Sequence, residues 1–488
     1  MSITSKNQLE PAKVFEYFEE IAAIPHGSRN TKGISDYLAE FAKKHALEYY
    51  QDASNNIVII EEATTGYENA EPIIIQGHMD MVCEKENDCD IDFLKEGLSL
   101  YVDGDFLKAK GTTLGGDDGI AVAYALALLD SPEIAHPRLE VVITVDEEIG
   151  MLGAEAIDLS MLKGHKMLNI DSDVEGHFLT SCAGGMTACT KIPVTFQHQT
   201  GLVAKVTVTG LEGGHSGSEI DKEHANANIV MGRVLENISE AMEVGIVSLA
   251  GGLKDNAIPR ECTAELLIHK EKKDALEQIL NGLKETLRKE YSVADPNVTL
   301  QVEISGEKDS EILSYTAMTK VIFYLRNVPN GVQNMSQVMP GLVETSLNLG
   351  IMELTKEGAQ GELCLTASVR SSVSSRKADL ASRLTMLAEF LGGEMTISGD
   401  YPAWEYRADS DIRETVSSVY KDLFGEEPVF EAIHAGLECG ILSGKIENLD
   451  CVSFGPNNFD IHTPKERLSI SSTEKIWKLL VEFLKNCK

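Results

Sequence analysis

Three consecutive isoleucines, Ile73 to Ile75, sit in the stretch 71–82, EPIIIQGHMDMV. An apolar run without alternation fits a β-strand covered on both faces, and such a strand needs helices on either side of its sheet. The run ends in Gly77 and then offers His78, Met79 and Asp80. In extended chain, positions i and i+2 point the same way. His78 and Asp80 can therefore act on one centre, the imidazole as metal ligand and the carboxylate fixing its tautomer. Taken alone, an H-x-D is more often a strand-end loop with two polar residues.

Two further runs repeat the pattern. Residues 139–145 read as a second buried strand, closed by Asp146, Glu147 and Glu148, and residues 166–170 as a third, closed by Asp171. Adjacent side chains on a strand diverge, so both glutamates reach one site only if the chain turns there, which Gly150 permits. Between these strands, KGTTLGGDDG at 110–119 precedes an apolar helix over 120–129. A glycine-rich turn before a helix invites a phosphate. Neither G-x-G-x-x-G nor G-x-x-x-x-G-K-[ST] fits it, however, and two aspartates stand where the anion would lie. Asp117 and Asp118 suit either a cation or the capping of that helix.

In open α/β sheets ligands bind at the carboxyl ends of the strands. Carboxylates gathered at one such edge repel one another unless a cation joins them. A histidine and carboxylate set without cysteine points to zinc, manganese or cobalt, as two ions sharing a carboxylate.

The remaining composition narrows the class. A chain of 488 residues exceeds one compact core and predicts two or three domains. No apolar run approaches the roughly 20 residues of a membrane span, and the opening residues lack the pattern of a signal peptide. Nine cysteines, scattered and never spaced as CxxC, fit reduced thiols and a cytoplasmic setting. With 43 basic against 77 acidic residues the net charge is −34, which argues against nucleic-acid partners.

Helical spacing over 10–48 and a short strand at 57–60 precede the Ile73 strand, giving an α/β domain with a mostly parallel central sheet. From about residue 186 the pattern changes. A half-exposed strand at 205–209, a helix at 221–244, a strand at 263–269 and a helix striped by Leu276, Ile279, Leu280, Leu283 and Leu287 are expected. A comparable set follows, with strands at 346–354 and 362–370, a helix carrying Leu380, Leu384, Leu387 and Leu391, and a strand at 394–398. The domain boundaries expected are 1–185 with 401–488 for the α/β domain, and 186–400 for an inserted α+β domain of two similar halves.

The series HMDMV, GTTLGGDDGI, VDEEIGM, NIDSDVEG, GGHSGSEID, NAIPRE, IHAGLECG and GPNNFDIHTP spans nearly the whole chain. It resembles the aminoacyl-histidine dipeptidase family, also called Xaa-His or cytosolic non-specific dipeptidase, within the clan of di-zinc carboxypeptidases, aminoacylases and deacylases. The resemblance implies a zinc-peptidase-like catalytic domain interrupted by a lid, and hydrolysis of dipeptides by a metal-bridged water. It implies that His78 binds one metal with Asp80 behind it, and that Asp117, joined to Asp118 by a cis peptide, bridges both metals. Glu147 is then the general base, while Glu148, Asp171 and His462 complete the ligands. Relatives tend to carry asparagine after the bridging aspartate where this chain has Asp118, which leaves either of the pair able to bridge.

In the lid, His215 is either a turn residue between glycines or, as the resemblance implies, a group that steadies the oxyanion, often in the partner subunit of a homodimer. Arg370 at a strand end suits a substrate carboxylate or an ordinary ion pair. Asn256 and Arg260 of DNAIPRE are further substrate candidates, and Glu438 either receives a substrate's free amino group or caps a helix. The competing functions are a deacylase or aminoacylase acting on N-acyl amino acids, and a non-catalytic binding protein on the same fold.

Overall fold

The computed structural model describes residues 3–488. It divides into two compact units, the first holding Met1–Cys182, Tyr406–Ala432 and Leu437–Lys488, the second Ala183–Glu405 with Ile433–Gly436.

The first unit is built on an eight-stranded sheet with Ile73–His78 near its centre. That strand runs parallel to Leu139–Thr144 on one side and to Lys166–Asn169 on the other, and Lys166–Asn169 runs parallel to Asp450–Ser453. The flanks are antiparallel: Glu48–Gln51 on Ile57–Glu61, Ile57–Glu61 on Leu139–Thr144, and His177–Cys182 on Asp450–Ser453. The sheet is therefore mixed, with parallel pairing confined to the centre. Apolar runs report burial and carry no information on strand direction. Parallel neighbours end at the same edge, so the residues after His78, Thr144 and Asn169 emerge together.

Ile73 and Ile75 lie in one core with Val14, Phe15 and Phe18 of helix Ala12–Ala22, Tyr124 of helix Gly116–Leu129 and Leu479 and Phe483 of helix Ile470–Asn486. Burying each such side chain contributes about 1.5–3 kcal/mol. Helix Gly116–Leu129 is buried all round, which explains its uninterrupted apolar sequence.

The second unit hangs on one 26-residue strand, Gly184–Thr209. The first part of this strand pairs with Gln360–Ser371 and Glu394–Tyr401, the second part with Cys262–Ile268 and Thr299–Leu313. Each half repeats one order. Helix Ala227–Ala241, strands Val244–Gly251 and Cys262–Ile268, helix Lys273–Glu290 and strand Thr299–Leu313 make the first. Helix Tyr315–Asn327, strands Val343–Glu357 and Gln360–Ser371, helix Ser374–Phe390 and strand Glu394–Tyr401 make the second. The helix expected over 221–244 begins only at Ala227, because the Asn226 side chain accepts the backbone N–H groups of Asn228 and Ile229 and starts it there. Among the described residues no helix is long and apolar enough to cross a membrane.

Candidate active site

In the first unit, Gly77 lets the His78 strand approach helix Gly116–Leu129. A Cβ at Gly77 would lie 2.4 Å from Asp118 Oδ2 and 2.5 Å from the Ala121 Cβ. His78 is buried, and its Nδ1 lies 2.9 Å from the carbonyl oxygen of Asp80. A carbonyl only accepts, so Nδ1 carries a proton and Nε2 is the nitrogen left to bind a metal. The Asp80 carboxylate is 3.5 Å from the same Nδ1. It also accepts from Ser28 Oγ at 2.8 Å and from the backbone N–H of Glu147 at 3.1 Å and of Glu148 at 3.4 Å. Asp80 thus fixes the turn that carries both glutamates as well as backing the imidazole.

Asp117 lies between two histidines. Its Oδ1 is 3.2 Å from His78 Nε2 and its Oδ2 is 3.2 Å from His462 Nε2. His462 Nε2 also lies 3.1 Å from the Glu148 carboxylate, and Asp171 Oδ1 is 3.9 Å from His78 Nε2. Asp118 Oδ2 accepts the backbone N–H of His78 at 3.2 Å. The peptide joining Asp117 to Asp118 is cis. Neither aspartate caps the helix, whose N-cap is Gly115 without a side-chain bond.

The cap comes from a residue that sequence reasoning did not single out. Glu466, buried, accepts the backbone N–H groups of Leu114 at 2.7 Å, Gly115 at 3.0 Å, Gly116 at 2.8 Å and Asp117 at 3.3 Å. The glycine-rich turn does bind an anion, and that anion is the protein's own carboxylate.

Ligand atoms of His78, Asp118 and Asp171, of His78, Glu147 and Glu148, and of Asp117, Glu148 and His462 each cluster within 4.8 Å. The electrostatics of this cluster call for cations. Burial, reinforced by Glu438, Glu148 and Asp117, raises the Glu147 carboxyl to about 8, and burial with Asp118 beside it raises Asp171 well above the usual carboxylate range. Asp117 and Glu148 push the His462 imidazole up to about 10. A hard oxygen and imidazole set with no thiolate, crowded until Glu147 and Asp171 hold protons, fits divalent cations of the zinc, cobalt or manganese type.

Glu438 is also buried in this unit. Its Oε2 accepts from Gln76 Nε2 at 2.5 Å and Thr144 Oγ1 at 2.6 Å, while Oε1 has no partner. It opens helix Glu438–Lys445, but the N-cap there is Leu437. Burial raises this carboxyl to about 7.

The second unit gathers a separate set. His215 Nδ1 accepts the backbone N–H of Ser218 at 3.1 Å, which leaves its proton on Nε2. Arg370 donates to Tyr401 Oη at 3.2 Å, and its buried Nε has no partner. A Cβ on Gly217 would meet the His434 carbonyl oxygen at 2.6 Å, the His215 ring at 3.1 Å and Arg370 Nε at 3.2 Å, so the three residues surround one point. His434, part of the IHAGLECG motif but given no role from sequence, has Nε2 2.8 Å from Ser346 Oγ. Burial and the neighbouring Arg370 and His215 lower its imidazole to about 3, so it is neutral. Asn256 is exposed on the adjoining loop, which Asn348 holds by donating to the carbonyl oxygens of Asp255 and Ala257 at 2.9 Å each. Arg260 donates to the Leu211 carbonyl at 3.1 Å.

Comparison with known proteins matches residues 74–486 to the model of peptidase family M20/M25/M40. The chain is 36% identical over 486 residues to a cytosol non-specific dipeptidase of Escherichia coli strain K12, covering 98% of each. Its structure is similar to that of an aminoacylhistidine dipeptidase from Vibrio alginolyticus, with a TM-score of 0.91 and 34% identity over 100% of this chain and 98% of that one. An aminopeptidase PepT from Bacillus cereus shares the fold at a TM-score of 0.60 and 14% identity over 98% and 99% of the two chains.

Proposed function

The chain belongs to peptidase family M20/M25/M40, and from that premise we propose how its residues cleave a dipeptide. It is a peptide-bond hydrolase of the dipeptidase class. The observation that carries the reading is Asp117, whose two oxygens lie 3.2 Å from imidazole nitrogens of His78 and His462. His78 and Asp171 would hold one divalent cation, Glu148 and His462 a second, and Asp117 both, with zinc the expected metal and cobalt or manganese its substitutes. Such ions, when bound, acidify water and polarise the scissile carbonyl. Glu147 takes the proton of the attacking water and returns it to the leaving amine. Asp80 positions His78 and the backbone of Glu147.

In the second unit, the lid of this reading, Nε2–H of His215 donates to the developing oxyanion. Arg370, with an Nε that lacks a partner and a neutral His434 beside it, receives the substrate's free carboxylate. Asn256 contacts the substrate backbone, and the free Oε1 of Glu438 receives its amino group. The relative's name supports a cytoplasmic setting, and the working state is a homodimer.

The test is a substrate panel with the metal-loaded enzyme: Xaa-His and other unblocked dipeptides, tripeptides, dipeptide amides and N-acyl amino acids. Release from unblocked dipeptides above all others is expected. A preference for N-acyl amino acids would make the protein a deacylase instead.

A further inference from the structure

Arg370 and Tyr401 stand on strands that are not neighbours. Strand Gly184–Thr209 runs between them, and its Gly185 pairs with Arg370 on one side and with Tyr401 on the other. Ser346 extends the row opposite Arg370. Residues directly opposite on adjoining strands present their side chains on one face. Two strands apart means roughly 9–10 Å, so the outer two side chains meet only if the residue between them has none. A Cβ at Gly185 would lie 2.5 Å from Tyr401 Oη and 2.6 Å from its Cζ. Gly436 bounds the ring as well, since a Cβ there would meet Tyr401 Cε2 at 2.8 Å. Through this slot Arg370 Nη1 donates to Tyr401 Oη at 3.2 Å.

A β-bulge puts Tyr401 in that row. Ser398 pairs with Thr187 and Tyr401 with Gly185, so three steps on one strand match two on the other. Gly399, at φ +56°, takes the left-handed conformation inside the bulge. Without the extra residue Asp400 would stand opposite Gly185, and Tyr401 would point to the other face. Buried Lys377 ties the bulge down, its Nζ donating to the Asp400 carboxylate and to the carbonyl oxygens of Tyr401 and Gly185.

Which nitrogen Tyr401 holds decides what Arg370 can offer. In a guanidinium, Nε–H and one N–H of Nη2 lie along one edge, a fork that grips a carboxylate through two parallel bonds. Nη1 takes no part in that fork. Tyr401 occupies Nη1, while the buried Nε has no partner. The geometry points to Tyr401 as a positioning residue: by holding Nη1 it turns the Nε and Nη2 edge of Arg370 toward the substrate's free carboxylate. The inference rests on the carboxylate role proposed above for Arg370 and names what aims it.

Steady-state kinetics of the metal-loaded full-length enzyme on unblocked dipeptides and on the matching dipeptide amides test it. Tyr401→Phe keeps the ring in its slot and removes the hydroxyl. KM for unblocked dipeptides should rise about 3–10-fold, the range for one hydrogen bond, with kcat little changed and the amides hydrolysed as by wild type. Gly185→Ala, which displaces the hydroxyl without removing it, should have the same signature. Because Tyr401 acts through Arg370, adding Tyr401→Phe to Arg370→Met should raise KM no further than Arg370→Met alone. An unchanged KM in Tyr401→Phe, equal losses on the amides, or losses that multiply in the double variant overturn the inference and leave the role of Arg370 standing. If Arg370→Met itself leaves KM for unblocked dipeptides unchanged, the carboxylate reading fails and the inference with it. Should circular dichroism show one single variant unfolded, the other decides.

Discussion

The carboxylate of Glu466 accepts a hydrogen bond from the backbone N–H of Gly116 at 2.8 Å, across 350 positions of sequence. Three neighbouring N–H groups, those of Leu114, Gly115 and Asp117, converge on the same carboxylate. The last belongs to the aspartate lying between His78 and His462. Glu466 therefore sets the path of the turn that aims Asp117.

Replacing Glu466 by Gln removes the charge and places an amide beside a row of donors. The substitution is expected to lower metal affinity about 10–100-fold, the usual cost of losing a group that orients a ligand. Metal titration followed by calorimetry would read this, and excess metal should recover part of the activity. Unchanged affinity would show that the turn holds its shape without Glu466.

Glu147→Gln keeps size and backbone contacts but cannot accept the water's proton. Hydrolysis should fall by about 10²–10⁴, while elemental analysis still finds two metal ions per chain. Turnover that survives the substitution assigns the proton transfer to another group. Glu438, buried in the same unit with a free Oε1, is the next to test.

What the sequence made legible is the part of this site that is local. The isoleucines before His78, the runs ahead of Glu147 and Asp171, and the order of helices and strands all follow from burial and period over a few residues. Glu466 carries no such signal, because its partners lie about 350 positions away in sequence and it looks like an ordinary polar loop residue; His434 sits in the IHAGLECG motif, but its role depends on the distant Ser346 and Arg370. The strand Gly184–Thr209 was read only at its end, 205–209, although Ile192, Val194 and Phe196 alternate with exposed neighbours; Pro193, which cannot donate to a ladder, interrupts that run in the sequence. Strand direction at the flanks of the central sheet was likewise invisible, since an apolar strand reads the same beside a parallel or an antiparallel neighbour.

Arg370→Met should raise KM for unblocked dipeptides roughly 10–100-fold, the range for losing a charged hydrogen-bond pair, with kcat little changed. The same variant should treat dipeptide amides as wild type does, because they lack the carboxylate. Equal losses on both substrate types would indicate that Arg370 supports the fold through Tyr401 rather than binding the substrate's terminus.

Glu61 offers a test of stability away from the site. Burial raises its carboxyl from the ordinary 4.5 to about 7, its Oε2 has no hydrogen-bond partner, and His136 Nε2 lies 3.6 Å away. Burial also lowers the His136 imidazole, so no cation compensates the glutamate. A carboxyl with a folded pKa above its unfolded one binds its proton more tightly in the native state. Its contribution is favourable below pH 4.5 and is lost as the pH rises through about 7. Glu61→Gln should therefore stabilise the protein by about 1–2 kcal/mol at pH near 8, less than the full shift allows because the side chain keeps some water contact. The gain should shrink steadily toward acid. Chemical denaturation across this range measures it, and a pH-independent difference would mean that Glu61 keeps the same charge folded and unfolded.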